Sequence, residues 1–174
     1  MNKDYALASL RRRCAAYGLD IVVALAGILV LQAVLYAVNP LLRGNSPPSS
    51  AALHAWVTLT VTLPIATVFG LSWASVSGAT PGMRFLRLRV RTPSGDRVSR
   101  AHALIRALVL LVPFELNHAV LFYPQPIWSS ELPGFRAGFL AVYGLVLTYL
   151  VVTWRMPMRQ GPHDLAAGTI VIQN

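Results

Sequence analysis

The sequence predicts an all-α integral membrane protein: four transmembrane helices, both termini cytoplasmic, and a short basic strand or hairpin between the second and third helices. Three observations carry this. Of the 174 residues, 55% are hydrophobic and only 12% are charged. Soluble domains carry about 25% charged residues, so too little polar surface is available to cover a globule in water. Four apolar stretches are long enough, at about 1.5 Å of rise per residue, to cross a hydrocarbon core of about 30 Å. The basic residues also segregate. Lys3, Arg11, Arg12 and Arg13 precede the first stretch, and Arg155 and Arg159 follow the fourth. Arg84, Arg87, Arg89, Arg91, Arg97, Arg100 and Arg106 lie between the second stretch and the core of the third, which leaves only Arg43 and Arg136 for the other two loops. Positive charge marks the cytoplasmic side of a membrane, so this distribution requires an even number of spans.

The first span covers residues 14–38. Its apolar run far exceeds the 7–15 or so residues of a signal-peptide core, so it reads as an uncleaved helix, ended by Asn39-Pro40 and a Pro/Ser-rich loop. The second span, residues 53–76, has no charged residue, and Pro64 predicts a kink that neighbouring helices must satisfy. Gly78 to Gly82 reads as a turn. Leu86-Arg87-Leu88-Arg89-Val90-Arg91 then alternates with period two, the pattern of a strand apolar on one face. Thr92 to Asp96 is a second turn, and Ser99 is placed to cap a helix.

The third stretch, residues 101–123, contains His102, Arg106, Pro113, Glu115, Asn117 and His118. It reads as a span whose polar side faces the bundle, or as an interfacial helix broken at Pro113; the first is taken here. The fourth span, residues 137–154, is uncharged and about the minimum length. Residues 1–174 read as a single domain without internal repeats, so the paired halves of many transporters have no support.

Asp20 is the most informative single residue, because a carboxylate deep in a span costs about 2.5–3.5 kcal/mol on insertion scales. Arg13 lies two turns earlier on the same face, roughly 10 Å away along the axis, too far for direct contact without a third group. Asp164 in the tail is available as that group. These residues sit in three ordered blocks. Arg13-Cys14-Ala15-Ala16-Tyr17-Gly18-Leu19-Asp20 resembles the opening signature of the RDD family of membrane proteins. Gly78-Ala79-Thr80-Pro81-Gly82-Met83-Arg84, with Leu88-Arg89-Val90 and Gly95, is similar to its central segment, and Arg106 matches an arginine common beyond it. Arg159-Gln160-Gly161-Pro162-His163-Asp164, continuing to Thr169, resembles the closing signature. Met83 stands where a lysine is frequent and Pro162 where an apolar residue is usual. The resemblance implies that Arg13, Asp20 and Asp164 are the residues of interest, and some members are linked to exchange of cations for protons.

Two function classes follow. In one, Asp20 exchanges a proton for a cation, with Arg106, Glu115 and His118 as a further polar station on the path. Four helices enclose little pathway, so an oligomer or a membrane-protein partner is expected. Gly134 and Gly138 with Ala137 and Ala141 offer a small-residue face for such a contact. In the other, the arginine and two aspartates clamp the tail to the first helix, since buried charges survive by pairing, and the protein is a non-transporting accessory. Arg87, Arg89 and Arg91 are expected to face anionic lipid headgroups rather than nucleic acid. Cys14 alone permits no disulfide or thiolate cluster, and His163 has no second ligand at metal spacing. No phosphate loop, nucleophile elbow or metalloprotease pattern occurs, so neither a cofactor nor an enzymatic activity is expected.

Overall fold

The computed structural model describes residues 6–39, 48–129 and 136–173. Lys3, Pro40, Arg43, most of the Pro/Ser loop, Glu131 and Gly134 lie outside them. Among the described residues, four helices are long and apolar enough to cross a membrane. Helix α1 (Leu10–Val38) starts a turn earlier than the apolar run suggests, because Ser9 caps it by accepting from the Arg12 amide. Arg11, Arg12 and Arg13 thus sit in its first turn. Beyond Asp20, most of its surface is exposed Val and Leu, including Val22, Val30 and Val34, the face a lipid-contacting helix presents.

The second span is α2 (Ser50–Val57) and α3 (Leu63–Ala74), joined by a π-turn at Thr58–Thr62. Pro64 has no N–H to donate, and the helix accommodates it in the turn just before, where the Leu63 amide reaches back to the Thr58 carbonyl. Such single-turn widenings are frequent at functional sites. Gly70 lets α3 approach the backbone of Ala103, to 3.8 Å from where a Cβ would stand.

Two elements then cross one end of the bundle: α4 (Pro81–Phe85) and β1 (Leu88–Arg91). The predicted strand exists, but it forms no local hairpin. It pairs antiparallel with β2 (Ile170–Gln173), and Leu7 bridges to Ile172. α5 (Arg100–Phe122) is capped by the Ser99 hydroxyl and runs unbroken through Pro113, which settles the third stretch as one continuous helix. α6 (Gly138–Arg155) is the fourth, and a five-residue helix α7 (Pro162–Ala166) leads into β2. Gly138 is used within the chain, packed against Val120 of α5, while Ala137 and Ala141 are exposed.

The densest packing is at the end that carries the strands. Trp73, Met83, Leu88, Val90, Ala103, Ala107 and Val171 are buried together there, and the Trp73 indole N–H donates to the Met83 sulfur. The lipid-facing strand expected from the alternation does not form. Arg91 is buried and donates to the carbonyls of Val90 and Val76 beneath the Gly78 turn. Arg87 precedes the strand with φ of 55°, and only Arg89 is half-exposed within it. Pairing with β2 presses one side of β1 onto the core, and the Gly78 loop closes over Arg91. Three arginines therefore share no common face.

Candidate functional site

Three polar constellations lie within the bundle, two of them centred on buried carboxylates and the third on a half-buried one. The first joins α1, α5 and α7 around Asp164, which is fully buried. One of its oxygens accepts from Arg13 and from the Gly161 amide, the other from Arg106 and the Thr169 hydroxyl. Arg13 also donates to the Arg159 carbonyl. Arg106 also donates to Thr169 and to the Tyr17 hydroxyl at 3.2 Å, and its guanidinium lies 4.6 Å from the Trp73 ring centre. Each guanidinium thus finds several acceptors, the condition under which a buried ion pair is tolerated. Burial pushes the Asp164 carboxyl up, but Arg106 above all, and Arg13, hold it well below the usual carboxylate range.

His163 completes this cluster. Burial, reinforced by the two arginines, pushes its imidazole down to about 3 against the pull of Asp164. The ring is neutral at ordinary pH. Its Nε2 lies 3.2 Å from the Tyr17 hydroxyl and 3.4 Å from an Arg13 nitrogen. Nε2 also stands 3.4 Å from an Asp164 oxygen.

Asp20 belongs to a second, separate constellation. The expected triad with Arg13 does not form; Asp20 accepts from the Thr80 hydroxyl at 2.5 Å and the Gly82 amide at 2.7 Å. The turn that opens α4 thereby fastens to α1. Arg106, not Asp20, is the third member around Asp164. The chain brings Arg13 and Asp164 together as anticipated and gives Asp20 other partners.

The third constellation is centred on Glu115, about 10 Å by helix rise from the Phe122 end of α5. One carboxylate oxygen accepts from His54 at 3.0 Å and Thr58 at 2.6 Å, and the other from Thr62 at 2.6 Å. His118 Nδ1 stands 3.6 Å from that second oxygen and has no hydrogen-bond partner. The expected pairing of Glu115 with His118 is thus a near approach, and three further residues join it. The π-turn aims Thr58 and Thr62 at the same carboxylate. His54, Thr58 and Thr62 carry no signal in the sequence, since threonines in membrane helices ordinarily bond their own backbone.

A cavity of about 490 Å³ extends from His118 past Ile65, Phe69 and Leu110 to Tyr17. Its walls are almost wholly apolar, and apolar cavities stay dry. In this conformation a hydrophobic stretch separates the Glu115 cluster from the Asp164 cluster.

A family model described as the RDD family matches residues 7–168, a span that contains all three constellations apart from Thr169. No curated protein and no solved structure matches the chain.

Proposed function

The chain belongs to the RDD family, and from that premise we propose that it exchanges protons for cations across a cytoplasmic membrane, with Glu115 as the exchanging carboxylate. One observation carries the reading: a carboxylate inside a membrane-length helix is held by one imidazole and two hydroxyls, with a second imidazole 3.6 Å away, and among the described residues by no arginine. Intramembrane ionisable residues commonly mark ion and proton pathways. Side-chain partners of this kind can be exchanged without moving a backbone, and the Glu115 side chain is 31% exposed. Asp20 fits the role less well. It is 2% exposed, and releasing the Gly82 amide would require α4 to lift from α1.

The same proposal places both termini and the segment 84–100 in the cytoplasm by the charge distribution. Exposed Arg84 and Arg87, beside the 78% exposed Phe85, would lie at the anionic headgroups. Four helices make a narrow pathway, so the working unit is proposed to be an oligomer or a complex with another membrane protein.

The test is proton flux in proteoliposomes loaded with a pH-sensitive dye and challenged with sodium, potassium and lithium pulses. Wild type should show coupled flux for at least one cation. Glu115→Gln should abolish it while keeping the thermal stability of the wild type within a few degrees, and Asp20→Asn should retain it. Wild-type protein silent to every cation overturns the reading. A second reading then stands, favoured by the internal ion pairing of Arg13 and Arg106 with Asp164: a non-transporting membrane accessory in which these charges only clamp the tail.

A further inference from the structure

The π-turn that supplies hydroxyls to Glu115 is tied on its other side to α1. Thr58 and Thr62 donate to the Glu115 carboxylate on α5. Thr60, two residues from each and so about half a helical turn round, meets α1 instead. Its hydroxyl accepts from the Gln32 amide nitrogen at 2.8 Å and donates to the Trp56 carbonyl at 2.8 Å. The Trp56 indole N–H, which can only donate, reaches the Gln32 amide oxygen at 3.0 Å. That contact fixes which end of the amide is which. Gln32, Thr60 and Trp56 thus close a ring of hydrogen bonds with one consistent direction.

Two features make this ring matter to the carboxylate. The backbone ladder of the turn is interrupted, because position 64 is proline and the Thr60 carbonyl meets no N–H four residues on. Side-chain bonds then help to set where the turn lies. Helix α1 has little other hold at this depth. From Ile21 to Leu35, Gln32 is its only polar side chain, and none of its residues beyond Asp20 is buried. Cavities of about 490 and 280 Å³ lie between it and α3. The hydroxyl–carboxylate bonds of 2.6 Å are short and weaken steeply when misaligned. We propose that Gln32 is a positioning residue for Glu115: by holding Thr60 it sets Thr58 and Thr62 against the carboxylate, so that α1 acts on the site without a bond to it. This deepens the reading of Glu115 as the exchanging carboxylate and rests on it, but its test reads the carboxyl group itself rather than flux.

The chain has two glutamates, Glu115 and Glu131. In a Glu131→Gln background, glutamate labelled with ¹³C at the side-chain carboxyl reports Glu115 alone, and its resonance is followed against pH in detergent-solubilised protein. Thr58→Val and Thr62→Val each remove a donor to the charged form and should move the titration midpoint by about one pH unit. Gln32→Met keeps the size of the side chain and loses both of its bonds. It and Thr60→Val should move the midpoint in the same direction by a comparable amount, although neither residue bonds Glu115. Thr148→Val, which removes a hydroxyl bonded to its own helix at Gly144, should leave the midpoint in place. His54 and His118, the titratable groups that face Glu115 among the described residues, are the same in every variant. A merely structural role for Gln32 would lower thermal stability and leave the titration where it was. Should Gln32→Met not fold, Trp56→Phe, which frees the Gln32 amide oxygen alone, is expected to give a smaller shift of the same sign. Gln32→Met and Thr60→Val both titrating like wild type overturns the proposal. So do Thr58→Val and Thr62→Val that leave the midpoint unmoved, since there would be nothing to position. Wild-type protein silent to every cation overturns the exchange reading and does not alter these midpoints.

Discussion

Asp164 is one carboxylate answering two guanidiniums, and removing either arginine has a defined penalty. Breaking a buried pair costs about 3–5 kcal/mol, and Arg13 and Arg106 are 2% and 0% exposed. Arg13→Ala and Arg106→Ala should each lower thermal stability in detergent by that order, read as a large fall in the unfolding midpoint. Arg106→Lys should recover little of the loss, because a single ammonium cannot reach Asp164, Thr169 and Tyr17 at once. His163 adds a pH dependence. Its folded-state pKa lies below the unfolded value, so acid favours the unfolded chain, and stability falls as pH drops from about 6.5 toward about 3. Asp164, also depressed, contributes fully above the ordinary carboxylate range and loses its contribution only below it. His163→Gln should therefore flatten the decline between pH 6.5 and 5, measured as unfolding midpoint against pH, whereas His102→Gln, on an exposed position, should not.

At the scale of elements, the decisive contact is α4 against α1. A Cβ on Gly82 would stand 2.3 Å from the Ala16 carbonyl oxygen and 3.0 Å from Asp20, so the glycine is required by proximity. Overpacking of this kind costs about 1–3 kcal/mol. Gly82→Ala should lower the unfolding midpoint accordingly, and Gly27→Ala, with nothing within 4 Å of its Cβ, should be neutral or mildly stabilising. This contact also measures what the sequence made legible. Spans, caps and the strand follow from local signals: apolar length, Ser9 and Ser99 before helical runs, and period-two alternation at 86–91. The pairing of Arg13 with Asp164 was legible through the signature blocks. The partners of Asp20 were not, because Thr80 and Gly82 are 60 and 62 residues away and only the fold sets them beside α1. The Arg91 burial was hidden for a related reason: alternation reports one strand's two sides, not what a later loop or strand places over each.

For the whole molecule, Leu7, β1 and β2 meet in one small sheet. The start of the first helix, the segment between the second and third, and the tail must therefore share one side of any membrane the four helices cross. The orientation proposed above, from the excess of arginine, puts that side in the cytoplasm. In a Cys14→Ser background, Ser94→Cys in the exposed turn after β1 should react with an impermeant maleimide only after cells are opened. Labelling of intact cells would reverse the orientation.

The distance in sequence between the partners of Asp164 has a consequence for how the chain is made. Asp164 follows Arg13 by 151 residues and Arg106 by 58. At a synthesis rate of about 5–20 residues per second, Arg13 waits roughly 8–30 s for its counter-charge. Arg106 waits roughly 3–12 s at the same rate, and until the tail is made neither guanidinium has this counter-charge and β1 lacks its β2 partner. Insertion of the four helices is therefore not the last event of biogenesis. The tail is a latch that shuts after translation has passed every span, and a nascent chain halted before Asp164 displays two unneutralised arginines where the finished protein shows none.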